Sequence, residues 1–213
     1  MSFSKSIALS LLSGGLTLLI ACTSQAKDST KATIAPELSE NYEVATLAGG
    51  CFWCMEPPFE DLPGVQAVIS GYAGGEEVDP SYHDVAYGRT GHTESVQVFF
   101  DPEEISYEEI LAVYWKQIDP TDPGGQFVDR GAQYRPEIFV HSAEQRAIAE
   151  QSKQDLEASG RFDETIVVPI TDFTTFYPAE EYHQDFYTKN PSRYYGYRKG
   201  SGRDSFIEQH WGE

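Results

Sequence analysis

A predicted strand that runs directly into two glycines and a Cys-x-x-Cys pair, at residues 47–56, constrains this chain more than any other segment. Glycine lets the backbone turn sharply, so Cys51 is predicted at the first turn of a helix and Cys54 one turn later. Free backbone N–H groups and the positive end of the helix dipole stabilise a thiolate at such a place. The segment therefore predicts a lowered pKa for Cys51 and a less activated Cys54.

Four interpretations of this pair are open on the residues alone: an attacking thiol, a thioredoxin-like dithiol, half of a zinc site and a buried small hydrophobe. A zinc site needs two further ligands, and His92 and His183 lack the spacing of a zinc finger. The buried-hydrophobe interpretation suits Cys54 better than Cys51. The Pro-Pro pair at 57–58 disfavours a straight helix and predicts a short first turn followed by a kink or a restart.

The N-terminus has the pattern of a processing signal rather than of a folded element. Lys5 precedes an apolar run at 7–21 that is short and rich in small residues, as is typical of a secretory signal peptide. The run ends in Leu-Ile-Ala-Cys, which resembles the bacterial lipobox, so Cys22 is predicted to carry a diacylglycerol after cleavage before it. An ordinary signal peptide, cut near Ala21 or Ala26, is the alternative.

These features divide the chain into a lipoprotein signal peptide at 1–21, a flexible tether at 22–42 and one domain at 43–213. The predicted location is the bacterial cell envelope, lipid-anchored and facing the periplasm. Lipidation of Cys22 leaves two thiols in the domain, which excludes a structural disulfide framework. In an oxidising compartment such a lone pair is expected to be redox-active or metal-bound.

Composition narrows the possible partners. The 15 basic and 34 acidic residues give a net charge of −19, which opposes binding to nucleic acid, so no nucleic-acid partner is expected. A hydrophobic fraction of 40% is enough to fill a core. The domain has even composition without repeats, and we predict a monomer whose membrane contact is the lipid anchor alone.

Local patterns predict an α+β domain with helices packed on a mixed sheet. Apolar runs predict strands at 43–48, 66–71, 94–100, 137–141 and 165–171. Ser106 and Ser142 open capping-box patterns that predict helices to Gln117 and to about Gly160, and a third helix is predicted near Ala179. Three long loops, at 72–92, 119–136 and 187–204, are predicted to bear the site.

Ordered motifs give the chain a family resemblance. Gly-Cys-Phe-Trp at 50–53, followed by Glu56, resembles the signature of the type A peptide methionine sulfoxide reductases. Six further motifs match that family in order, at 71–75, 80–82, 90–94, 119–121, 129–135 and 179–184. The resemblance implies a two-layer ferredoxin-like sandwich with a mixed or antiparallel sheet, long irregular loops and a C-terminal coil.

The resemblance also implies the chemistry, which is reduction of methionine S-sulfoxide, free or in proteins, to methionine. Cys51 is implied as the nucleophile that becomes a sulfenic acid, and Glu94 as the proton donor. Such a donor must stay protonated, so we expect burial to raise the pKa of Glu94. His183 and the loop arginines Arg130 and Arg135 are expected to act structurally.

The remaining implied site residues surround the sulfoxide. Tyr82 and Tyr134 match the phenols that hydrogen-bond the oxygen as it becomes anionic. Asp129 matches a carboxylate that orders the same pocket. Phe52 and Trp53 are expected to form an apolar wall against the S-methyl group.

Recycling is where the sequence departs from many family members, because residues 187–213 contain no cysteine. Residues three apart on a helix lie within disulfide reach, so Cys54 is predicted to resolve the Cys51 sulfenic acid. No bound cofactor or metal is expected; the expected co-reactant is an external dithiol, such as a thioredoxin-like protein. The alternative is that Cys54 is a spectator and the donor attacks Cys51 directly.

Two other functions compete with this one. An envelope thiol–disulfide oxidoreductase would use the Cys51/Cys54 pair but would leave Glu94 and the two tyrosines without a task. A lipid-tethered protein that only binds oxidised methionine segments would bind without turnover, and its binding would survive Cys51→Ser.

Overall fold

The computed structural model describes Met1 and residues 30–212. The rest of the predicted signal peptide, Cys22 and the first part of the predicted tether lie outside the described residues. No helix within the described part of the chain has the length and apolarity needed to cross a bilayer.

The described residues form nine helices and eight strands, together with a 3-10 turn at Ala132–Tyr134. The helices are α1 Pro36–Asn41, α2 Phe52–Met55, α3 Pro57–Glu60, α4 Tyr82–Ala86, α5 Tyr107–Gln117, α6 Ala143–Ala158, α7 Phe186–Lys189, α8 Pro191–Ser201 and α9 Arg203–Trp211. The strands are β1 Glu43–Gly49, β2 Val65–Ala73, β3 Thr93–Phe100, β4 Gly125–Gln126, β5 Asp129–Arg130, β6 Pro136–Val140, β7 Ile170–Asp172 and β8 Phe176–Pro178.

Six strands form one sheet in the order β7-β6-β1-β3-β2-β8, and β4 and β5 form a separate pair. The central four strands, β6-β1-β3-β2, pair antiparallel, and β7 joins β6 in parallel. Helices connect β1 to β2 and β3 to β6, so the chain follows the β-α-β-β-α-β path of a ferredoxin-like sandwich. The predicted fold class and its mixed sheet are confirmed.

One face of the sheet carries the main core because alternate residues of each strand point to the same side. Leu47, Val98 and Ile138 are fully buried there against Ile110 and Leu111 of α5. Each such side chain contributes roughly 1.5–3 kcal/mol by leaving water. Helix α5 thus lies against the strand that leads into Cys51.

The capping prediction holds fully for α5 and in part for α6. Ser106 accepts the N–H of Glu109 while the Glu109 carboxylate accepts the Ser106 N–H, which is a complete capping box. Ser142 caps α6 by accepting the N–H of Gln145, but the Gln145 side chain accepts the N–H of His141 instead of closing the box.

The prediction of a C-terminal coil, and of a loop at 187–204, is wrong. The chain forms α8 and α9 there, with Pro191 starting α8 and Gly202 breaking the two helices apart at φ +90°. Both helices have mostly polar sequences and three glycines lie among them, so no apolar stripe marks them in the sequence. Burial of Tyr194 and Ile207 anchors them on the domain.

Two further predictions are corrected. The segment at 165–171 pairs only from Ile170 onward, because Pro169 interrupts the regular backbone just before it. No helix starts near Ala179; this residue pairs through its backbone with Ser70 and Ala32, and the next helix begins at Phe186. The restart after Pro-Pro at 57–58 is confirmed by the break between α2 and α3.

The described part of the predicted tether makes ordered contacts. Lys31 forms a β-bridge with Glu180, and its ammonium donates to the Pro80 carbonyl at 2.5 Å. Helix α1 follows before β1 starts. Residues 30–42 are therefore in contact with the domain at least in part, and the boundary at residue 43 stays a prediction.

Close pairing of β2 with β8 predicts that Gly71 tolerates no side chain. A Cβ at Gly71 would lie 2.3 Å from a Phe176 ring carbon and 2.5 Å from the Tyr177 carbonyl oxygen. We expect Gly71→Ala to lower the free energy of unfolding by about 1–3 kcal/mol in urea titrations. Gly196→Ala is the control, since that helical position is open, and it should raise stability by about 0.5–1 kcal/mol. Equal stability of the two variants would contradict this.

Candidate active site

A small cavity of about 80 Å³ gathers the predicted site residues. It is lined by Cys51, Phe52, Trp53, Tyr82, Glu94, Asp129, Tyr134 and Tyr197. Seven of these eight were predicted from the motifs, and Tyr197 was not. A larger cleft of about 590 Å³, next to Tyr107 and His141, contains none of them. The smaller cavity is therefore the candidate active site, because it gathers the predicted residues.

The turn that presents Cys51 depends on two glycines. Strand β1 ends at Gly49, and Gly50 adopts φ +81°, which favours glycine. A Cβ at Gly50 would also lie 2.6 Å from the Gln126 Cβ. Cys51 then occupies the N-cap of α2, lines the cavity and is 7% exposed. The predicted position of Cys51 is confirmed.

Glu94 faces this turn from the start of β3. Its carboxyl accepts the Phe52 N–H at 3.0 Å, and its side chain is buried. Burial raises the pKa of Glu94 to about 8, against the lowering effect of the Phe52 N–H, and the Asp129 charge raises it further. The expectation that burial keeps this carboxyl protonated near neutral pH is confirmed.

The two thiols hydrogen-bond each other, and their pKa values move opposite to prediction. Burial, the hydrogen bond with Cys54 and the nearby Glu94 raise the pKa of Cys51. The hydrogen bond from Cys51, and then the Arg203 and Arg198 charges, lower the pKa of Cys54 against its burial. The sequence prediction of a low Cys51 pKa is wrong for the resting chain because burial raises this pKa, and the nearby Phe52 N–H is bound to Glu94.

Tyr82 is held in place by a buried carboxylate that the motif analysis did not assign. Glu180 accepts the backbone N–H of Tyr82 at 2.9 Å and the hydroxyl of Tyr72 at 2.8 Å. Ser81 caps the short helix α4 that carries Tyr82. Glu180 lies in a matched motif, so its position in the sequence was the available signal.

Asp129 and Tyr134 come from the loop that follows α5. The hydroxyl of Tyr197 on α8 donates to the Asp129 carboxylate. Burial raises the pKa of Asp129, and the Tyr197 hydrogen bond opposes that rise. Arg130 binds Asp122, and Arg135 binds Glu137, both at the loop itself, which confirms their structural role.

An aromatic cluster forms the wall beside Cys51. Trp53 donates its indole N–H to His183 Nδ1 at 2.9 Å and stacks on Phe186 with ring centroids 3.6 Å apart. The His183 ring also lies 5.0 Å from Phe52 and 4.2 Å from Tyr82. His183 is 1% exposed, and the structure thus gives it the hydrogen-bonding role that the sequence predicted.

A family model described as peptide methionine sulfoxide reductase matches residues 43–213. The chain belongs to the peptide methionine sulfoxide reductase family. The peptide methionine sulfoxide reductase MsrA of Listeria monocytogenes is 58% identical over 172 residues, covering 81% of this chain and 97% of its own length. The MsrA of Bacillus licheniformis is 54% identical over 175 residues, with coverage of 82% and 97%. The predicted family and type are confirmed.

Solved structures of relatives agree with this assignment. Reduced Mxr1 from Saccharomyces cerevisiae is similar with a TM-score of 0.66 and 32% identity, covering 75% of this chain and 90% of its own. Methionine sulfoxide reductase A of Corynebacterium diphtheriae has a TM-score of 0.63 and 30% identity, with coverage of 78% and 90%. The chain is therefore an oxidoreductase enzyme of this family, which excludes the interpretation as a binding protein alone.

Among the described residues, one group of acidic side chains is close enough to share a metal ion. Oxygens of Glu56, Glu60 and Asp185 lie within 4.8 Å of one another. Glu56 accepts the Ser70 hydroxyl and the Asp185 N–H, so its oxygens are already used within the protein. The group does not include Cys51 or any other residue that lines the small cavity.

Two buried carboxyls should be detectable in the infrared, since burial raises the pKa of both Glu94 and Glu56 to about 8. An unfolded chain loses these two protons near pH 4.5, whereas the native chain keeps them up to about pH 8. The free energy of unfolding therefore falls as pH rises between these two values. At pH 7 we expect a protonated-carboxyl band that loses one component in Glu94→Gln and the other in Glu56→Gln.

Glu109→Gln is the control for this measurement, because hydrogen bonds to Ser106 lower the pKa of that exposed carboxyl. It should leave the band unchanged. A band at pH 7 that persists in full in Glu94→Gln contradicts a buried, protonated Glu94.

Proposed function

We propose that this chain reduces methionine S-sulfoxide, free or in proteins, to methionine and so repairs oxidised proteins of the cell envelope. One observation supports this most directly: the Cys51 thiol and the protonated Glu94 carboxyl line the same small cavity. A nucleophile and an acid at one site are what transfer of a sulfoxide oxygen requires.

The first step moves one oxygen atom and two electrons. The Cys51 sulfur attacks the sulfoxide sulfur, Glu94 gives its proton to the oxygen, and its carboxylate takes up the proton that leaves the thiol. The oxygen then passes to Cys51: a Cys51 S–O bond forms while the new S–S bond and the S–O bond of the substrate both break. Methionine leaves, and Cys51 keeps the oxygen as a sulfenic acid. This exchange suits the resting chain, in which Cys51 and Glu94 both hold protons.

The cavity size and its wall support the substrate class. A volume of about 80 Å³ equals roughly three water molecules, which is enough for the sulfur, oxygen and methyl of a side-chain tip. Phe52 and Trp53 supply an apolar surface for the methyl group. Tyr82 and Tyr134 line the same cavity and would hydrogen-bond the oxygen, while Asp129 stays fixed through Tyr197.

Recycling is assigned to Cys54. Cys51 and Cys54 lie on one turn, in which the Cys54 N–H donates to the Cys51 carbonyl at 3.0 Å, and both thiols are free. Residues three apart on a helix lie within disulfide reach. Attack of Cys54 on the sulfenic sulfur releases water and leaves the Cys51–Cys54 disulfide. An external dithiol protein, such as a thioredoxin-like reductant, then returns both thiols and becomes oxidised itself.

The test follows methionine formation from separate S- and R-sulfoxides, with and without a dithiol protein donor. Cys51→Ser should form no methionine. Cys54→Ser should form one methionine per chain and leave Cys51 as sulfenic acid by peptide mass, while multiple turnover with the donor falls about tenfold or more.

Three outcomes count against parts of this proposal. Unchanged multiple turnover in Cys54→Ser means that the donor attacks Cys51 directly. Preference for the R-sulfoxide overturns the epimer assignment. Reduction of protein disulfides without methionine formation favours a thiol–disulfide oxidoreductase that uses the same pair.

We also propose that Cys22 carries a lipid that holds the enzyme at the envelope, since the preceding Leu-Ile-Ala matches a lipobox. Two or three acyl chains bind a bilayer stably, whereas one binds marginally. Metabolic labelling with a fatty-acid probe should mark the wild-type chain in the membrane fraction. Cys22→Ser should lose the label, and Cys54→Ser should keep it; a label that survives Cys22→Ser overturns the anchor.

A further inference from the structure

Arg203 of α9 is a buried cation pressed against the cysteine turn, with 1% exposure. Its guanidinium donates to the carbonyl oxygens of Gly49, at 2.9 Å, and of Gln117, and one nitrogen lies 3.5 Å from the Met55 sulfur. Gly49 precedes the turn at 51–54 and Met55 follows it. The Arg203 charge is therefore held beside both ends of the turn.

Arg198 of α8 reaches the same turn from the other C-terminal helix. It donates to the carbonyl oxygen of Cys54 itself at 3.2 Å. Its side chain is 15% exposed and pairs with Asp204, which is itself 55% exposed. Two cations from α8 and α9 thus contact the backbone of the turn that carries Cys54.

Arg203 is a buried charge without an anionic partner. Among residues 30–212 no carboxylate forms an ion pair with it, and its Nε has no hydrogen-bond partner. Two carbonyl oxygens and the face of the Phe127 ring, 4.8 Å away, compensate the charge in part. The Cys54 thiol on the same turn is fully buried and is a group that can become an anion.

We propose that Arg198 and Arg203 are positioning residues that hold Cys54 as the thiolate which closes the disulfide with Cys51. This inference rests on the recycling step proposed above. It gives the C-terminal helices a part in recycling, although they carry no thiol. The lowered pKa of Cys54, to which both arginines contribute after the Cys51 hydrogen bond, agrees with it.

The arginines matter most after the first step. Once Cys51 is a sulfenic acid, its S–H no longer donates to Cys54, but the two charges remain. The Cys54 sulfur attacks the Cys51 sulfur, the S–O bond breaks, and the hydroxide takes the Glu94 proton and leaves as water. Cys54 is oxidised by one electron and Cys51 is reduced by one, so the step balances.

Several other groups act on Cys54 and bear on its titration. Its own turn contributes Cys51, β3 contributes Glu94, β5 contributes Asp129, and α8 and α9 contribute Tyr194, Tyr197, Arg198 and Arg203. The acidic and phenolic groups oppose a thiolate or stay neutral. Only the arginines favour the thiolate once Cys51 is oxidised.

A thiolate titration tests this without the reductase reaction. Cys51→Ser imitates loss of the Cys51 thiol, and its difference absorbance against Cys51→Ser/Cys54→Ser reports the Cys54 thiolate alone. Adding Arg198→Met to both chains should raise the titration midpoint by about one pH unit, since a nearby charge shifts a pKa by that order. Arg198→Lys in place of Arg198→Met should bring the midpoint most of the way back to its original value, because lysine keeps the charge. Lys199→Met removes an exposed cation next along α8 and should leave the midpoint unchanged.

The second readout is disulfide formation after one turnover in the otherwise wild-type chain. Below the Cys54 pKa, a one-unit rise cuts the thiolate about tenfold, but greater nucleophilicity recovers part of that, so the rate should fall roughly three- to fourfold in Arg198→Met. Methionine formation in the first step should change less. Arg203→Lys provides a second variant that keeps the charge, and circular dichroism checks its fold.

An unchanged midpoint and disulfide rate in Arg198→Met overturn the inference while leaving the proposed function intact. If the wild-type chain forms methionine but no Cys51–Cys54 disulfide, the recycling proposal fails and this inference fails with it. A midpoint shift of equal size in Lys199→Met would assign the effect to general surface charge and would also overturn it.

Discussion

The hydrogen bond from the Phe52 N–H to the Glu94 carboxyl is the contact on which the site depends. It joins the turn after β1 to the start of β3, so one interaction fixes the acid relative to the sulfur. It also uses the amide that would otherwise stabilise a thiolate at Cys51. The resting site therefore holds a neutral acid and a neutral nucleophile side by side in one small cavity.

The pKa values of the two thiols differ because the charged groups near them have opposite signs. Cys51 faces carboxyls from the sheet and the loop, whereas Cys54 faces guanidinium groups from the C-terminal helices. One turn of helix separates two electrostatic environments. In the proposed reaction, attack and resolution would thus use two buried thiols on the same turn.

Sequence motifs predicted most of the site because each family motif is a short run of neighbouring residues that can be recognised without knowing the fold. Seven cavity residues, from Cys51 to Tyr134, follow from such short-range patterns. Tyr197 and Arg203 did not follow, since their roles come from contacts across the fold between α8, α9 and the turn. The predicted order of the thiol pKa values was wrong for the same reason: it depends on burial and on charged groups that reach the turn across the fold, which a local helix argument does not contain.

The contacts of residues 30–31 beside the Tyr82 segment limit how far the domain could lie from a lipid on Cys22. Glu180 binds the Tyr82 N–H and forms a β-bridge with Lys31, so residues 30–31 lie beside the segment that carries Tyr82 of the cavity. With the proposed acyl group on Cys22, the eight residues from there to Thr30 would reach at most roughly 28 Å. The cavity would then sample a thin layer above the lipid surface, and its accessible clients would be proteins that come within that layer.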